Sequence, residues 1–168
     1  MKIKKSNVIS LIFPDLQIDS SLQLSHPKWN LHKDHTLMES LQDILDGKAS
    51  VSDKTLRSLY HEFYHLSSTG ILWVTPFLIE YLLTPEGEYS YSEVELFIFF
   101  LDAQPGQNDR LSYALQQFTH CQLVFLQMAI SQLSNRDPWK DSLADEISKA
   151  LCGISSVIEE RGHRAMLL

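Results

Sequence analysis

From Trp139 the chain sets Leu143, Ile147, Leu151, Ile154 and Ile158 three or four residues apart. A period near 3.6 places these side chains on one stripe of an α-helix about five turns long, and no alternation of period two competes with it. Asp137 and Pro138 stand where such a helix opens, and Gly162 where it closes. A stripe of that length has to be covered by other elements, so the rest of the chain is read for helices that could cover it.

Helix signals recur along the sequence. Leu37, Leu41, Ile44 and Leu45 mark a helix over 35–46 that Gly47 closes. Ser52 or Asp53 caps a second run, in which Leu56, Leu59, Tyr60, Phe63 and Leu66 form the apolar stripe. Ser67, Ser68, Thr69 and Gly70 read as its end. Thr75 then reads as a cap, with Pro76 at the first position of a helix that carries Phe77, Leu78, Tyr81 and Leu82. Ser90 and Glu93 have the spacing of a capping box before Val94–Leu101, a run apolar nearly all round and therefore expected at the centre of the core. After Pro105 and Gly106, residues 111–118 read as a short helix. Thr119 and Gln122 repeat the box before Leu123–Leu133. Pro14 and Pro27 break the first 34 residues into an irregular segment, with one helical turn or a short strand near Val8. The expected fold is all-α: one domain over residues 1–168, a single compact bundle of six or seven helices with residues 1–34 packed on it.

At 168 residues, 44% apolar and 21% charged, the chain can bury a core without staples. Cys121 and Cys152 form no C-x-x-C pattern and read as buried, reduced thiols. The net charge of −7 argues against nucleic acid and anionic membranes as partners, and for encounter with a basic protein. Lys2, Lys4 and Lys5 precede an apolar run, Val8–Phe13, too short for an export signal, and Leu96–Leu101 cannot span a bilayer. A cytoplasmic location is expected.

His61-Glu62-Phe63-Tyr64-His65 spells H-E-x-x-H, in which two histidines one helical turn apart hold zinc and the glutamate takes a proton from metal-bound water. At about 100° per residue the Leu56/Leu59 stripe lies nearly opposite His61 and His65, which share an edge with Lys54 and Ser58. Ser68 and Ile71 stand where an extended metzincin pattern wants glycine and histidine, and nothing in the spacing selects Glu80, Glu93 or Glu95 as a third ligand. The reading adopted is two surface histidines and no metal, with zinc held by His61 and His65, and Glu62 as base, as the alternative.

Other constellations read the same way. Glu62/His65 and Glu160/His163 have the spacing of a di-iron centre, with Glu39 and Glu93 to complete it, but lie away from the apolar stripes. Asp34-His35, with His26 and His32 nearby, reads as a solvated loop whose aspartate caps the next helix. His120 and Cys121 point about 100° apart and do not form a nucleophile pair. Trp73, Phe77 and Tyr81 form an aromatic ladder read as core packing. The interaction surface expected is Glu86, Glu88, Tyr89, Tyr91, Glu93 and Glu95: tyrosines offer contact area at low entropy cost, and the acids steer encounter.

Phe63, Ser68, the run Gly70–Leu78 and Tyr81, followed by Thr119, Gln122, Phe125 and Leu126, resemble the signature of a bacterial family of small helical proteins, a domain of unknown function. The resemblance covers the middle half of the chain; it implies a small helical bacterial domain and assigns no catalytic residue. The function expected is non-catalytic: a protein that binds a basic partner without a cofactor, in the manner of an immunity protein or antitoxin. The alternatives are a zinc-dependent hydrolase and a homo-oligomer subunit.

Overall fold

The computed structural model describes residues 2–25, 35–62, 66–84, 115–136 and 139–166. Among them the regular structure is helical, with two isolated antiparallel bridges, Lys2 to Ser52 and Ser25 to Leu66. The chain groups into two compact units, 1–87 and 88–168. The all-α expectation holds.

In the first unit α1 (Asn7–Ile12) starts at Ser6, whose hydroxyl accepts from the Ile9 amide. Ile9 and Phe13 are buried, whereas Val8 and Leu11 on the other side are 60% and 87% exposed. Lys5 fastens this short helix. Its ammonium donates to the Phe13 carbonyl at 3.0 Å and to Asp15, and it lies 5.7 Å over the Phe77 ring. The Ser6 amide donates to the Glu80 carboxylate at 2.7 Å. A 3-10 turn follows at Ser21–Leu24, its entrance tied to Gln42 by the Ser21 amide.

Helix α2 (His35–Leu45) ends as the sequence predicts. Gly47 adopts φ +74°, where a side chain would be strained, and the amides of Lys48 and Ala49 turn back to the Asp43 carbonyl. Helix α3 (Asp53–Glu62) is capped by Ser52, which accepts from the Thr55 amide, and buries Leu56 and Leu59.

Helix α4 corrects the expectation for the middle of the chain. It runs Ser68–Leu82, with Pro76 inside it. The cap is Ser67, not Thr75: its hydroxyl accepts from the Gly70 amide at 3.0 Å and donates to the Gln23 carbonyl at 2.6 Å. Thr75 is buried and returns its hydroxyl to the Ile71 carbonyl. The residues that read as a break are the first turn, because Gly70 lets that turn meet the 3-10 segment. A β-carbon there would lie 2.4 Å from the Leu24 carbonyl oxygen. Beside this contact, Ser25 is buried with no partner for its hydroxyl among the described residues.

In the second unit, Leu115 and Phe118 are buried ahead of α5 (His120–Leu133). Thr119 and Gln122 form the predicted capping box in full. The predicted long helix is two pieces, α6 (Trp139–Ser142) and α7 (Ala144–Met166), with Leu143 buried at the joint. Gly162 does not close α7, which passes through it to Met166. The last turns are held by Arg161, whose guanidinium donates to the Phe118 and Gln116 carbonyls. Farther back along α7, Ser155 accepts from Gln127 at 2.8 Å, so α5 and α7 run antiparallel. The two helices pack on each other, and Leu123, Leu126, Ile130, Ile147, Ala150 and Ile154 are among their buried residues at helical spacing. The predicted helix at 94–101 lies outside the described residues.

Candidate functional site

Helices α2 and α3 leave a half-open cleft of about 370 Å³ between them. Thr36, Ser40 and Asp43 line it from α2; Lys54, Thr55 and Ser58 line it from α3. Leu37, Ile44 and Ala49 supply apolar surface, and Ser50 and Ser52 bring two more hydroxyls from the connection. The geometry follows from the sequence: 36, 40 and 43 are spaced to share one face of a helix, 58 lies one turn beyond both 54 and 55, and the Gly47 turn folds the second helix back on the first.

The polar groups in and beside the cleft differ in how far they are committed. Ser52 and Thr55 satisfy each other, their oxygens 2.9 Å apart. The hydroxyls of Thr36, Ser40, Ser50 and Ser58 have no hydrogen-bond partner among the described residues. Lys48 is spoken for: it lies 2.7 Å from Asp46 and 3.8 Å from Asp43. The hydrogen bond from Lys48, aided by the Gln42 amide, holds the Asp46 carboxyl below its ordinary range, and the same bond raises Lys48. Asp43 thus keeps a loosely held carboxylate, and Lys54 has no ion pair among the described residues.

The residues singled out from sequence fall partly within this picture. His61 and Glu62 form the last two positions of α3, one turn beyond Ser58, and Lys54 and Ser58 on that edge are exposed. His65 lies outside the described residues, as do Glu86, Glu88, Tyr89, Tyr91, Glu93 and Glu95. Glu80, weighed as a third zinc ligand, is instead bonded to the Ser6 amide. Glu39 and Glu160 are exposed, as is His120. No group of three potential metal ligands occurs among the described residues. Trp73 and Phe77 meet at 5.4 Å with a tilt of 53° but are only half-buried, so of the aromatic ladder Tyr81 alone sits in the core.

The cysteines correct that reading. Cys121 and Cys152 are both exposed. Each falls on the outward side of its helix, because the α5–α7 seam is already taken by leucine, isoleucine and alanine. Sequence reading also missed the cleft. Its trace was there, in hydroxyl residues at helical spacing on both sides of Gly47.

No protein-family model matches the chain, and neither does any curated protein or solved structure with which it was compared. No helix among the described residues is long and apolar enough to cross a membrane.

Proposed function

We propose that the chain works by binding another protein, one that presents a basic surface. The support is an uneven charge. Residues 88–168 carry eleven acidic against six basic side chains, a net of −5, while residues 1–87 carry ten against eight, a net of −2. The run Glu86, Glu88, Tyr89, Tyr91, Glu93, Glu95 lies where the two stretches join and has the composition of a contact surface. Masking a basic toxin surface in the cytoplasm, as an immunity protein or antitoxin does, is the concrete form of this reading. It needs no catalytic group and no cofactor.

The test starts with capture of the partner from native extract on the intact chain, followed by association kinetics of the purified pair. With Glu88→Lys and Glu93→Lys together, the on-rate at low salt falls about tenfold and loses much of its salt dependence. An unchanged on-rate rejects the surface.

One observation favours a second reading. The α3 edge that carries Lys54 and Ser58 borders the cleft, and by helical register His61 continues that edge. A zinc hydrolase using His61, His65 and Glu62 requires one zinc per chain in protein purified without added metal, lost in His65→Ala. Elemental analysis decides between the two.

A further inference from the structure

We infer that the α2–α3 cleft is a binding site for a small zwitterion, an amine-carboxylate compound of the free amino-acid class. This goes beyond the protein-binding proposal and is independent of it.

Three observations converge. The first is charge of both signs in one cleft: Asp43 on the α2 wall and Lys54 on the α3 wall. Neither is tightly paired among the described residues. Asp43 has only a long, exposed contact with Lys48, which is held by Asp46 instead, and Lys54 pairs with nothing among the described residues. The second is a reserve of uncommitted hydroxyls. Ser40 and Ser58 in particular are free to donate to a carboxylate or accept from an ammonium. The third is the apolar surface of Leu37 and Ile44, which would receive a short aliphatic side chain. The volume, about 370 Å³, lies within the ordinary range of small-molecule sites.

The lining also argues against other ligands. No aromatic ring occurs among the described lining residues, which therefore offer a base or sugar ring no stacking surface. A polyanion would meet one lysine and one opposing carboxylate. A ligand carrying one charge of each sign leaves neither wall unpaired.

The test is titration calorimetry on the full chain with alanine and valine, using propylamine and propionate as probes that carry one charge each. The expected result is saturable one-to-one binding of an amino acid, with each single-charge probe at least about tenfold weaker. Asp43→Asn and Lys54→Met each weaken amino-acid binding about tenfold or more; both positions are at the surface, and retained helical circular dichroism shows that the variants fold. Amide shifts on saturation fall within 36–58. Three results overturn the inference: no amino-acid binding at millimolar concentration, propionate binding as tightly as valine, or amide shifts centred elsewhere.

Discussion

Both units bury an apolar core, but the first adds isolated polar contacts between segments distant in sequence, whereas in the second the core runs along one helix pair. In the first, Ser67 reaches Gln23, Ser6 reaches Glu80 and Ser21 reaches Gln42, around a helix start that needs a glycine. In the second, α5 and α7 share a continuous row of aliphatic side chains with Arg161 as a latch at one end. The first unit is close to neutral and holds the cleft; the second carries most of the chain's negative charge.

The sharpest way to break this contrast is at Gly70. In Gly70→Ala the new methyl meets the Leu24 carbonyl, part of the backbone and unable to swing aside, so a loss of about 3 kcal/mol is expected by urea denaturation. A change within experimental error would mean that the 3-10 turn does not lean on α4. In the second unit, Arg161→Ala strips two carbonyls of a charged donor and should cost about 2 kcal/mol, with Arg161→Lys recovering part of it. Caps separate the units next. Thr119→Ala removes a purely local cap, worth about 1 kcal/mol. Ser67→Ala should cost more than Thr119→Ala, because the Ser67 hydroxyl also holds Gln23. Equal losses would remove the distinction between a local cap and a tie between segments.

Smaller still, Ser25→Ala should leave stability unchanged or raise it by about 1 kcal/mol, since the buried hydroxyl it deletes has no partner among the described residues. Asp46 should titrate below an ordinary aspartate by NMR and return towards it in Lys48→Ala. Its folded-state value is depressed, so any stability it confers is present above the unfolded value and fades as pH falls through the folded one. The pair lies at the surface, and no shift in melting temperature is expected.

This contrast also explains which parts of the fold the sequence discloses. The Thr119–Gln122 box and the pair Ile147 and Ile154 are local patterns, each complete within a turn or at a fixed period, and they fold as written. Ser67 to Gly70 misleads because serine, threonine and glycine mark a break and a capped first turn alike; Leu24, far back in the chain, decides between them. Gly162 misleads for a related reason: Arg161 carries the helix past it through carbonyls far away in sequence. The cleft was hidden because serines and threonines at helical spacing look like any wet face until a second such face is set against them.

The proposal that the second unit meets the partner is tested most directly by matched charge reversals in the two units. Association of the captured partner would be followed across an ionic-strength series for Glu88→Lys with Glu93→Lys, and for Asp19→Lys with Glu39→Lys. The account predicts an on-rate about tenfold lower at low salt for the first pair and a change under about twofold for the second. Equal losses from both pairs would contradict it, because the attraction would then come from total charge and not from that surface.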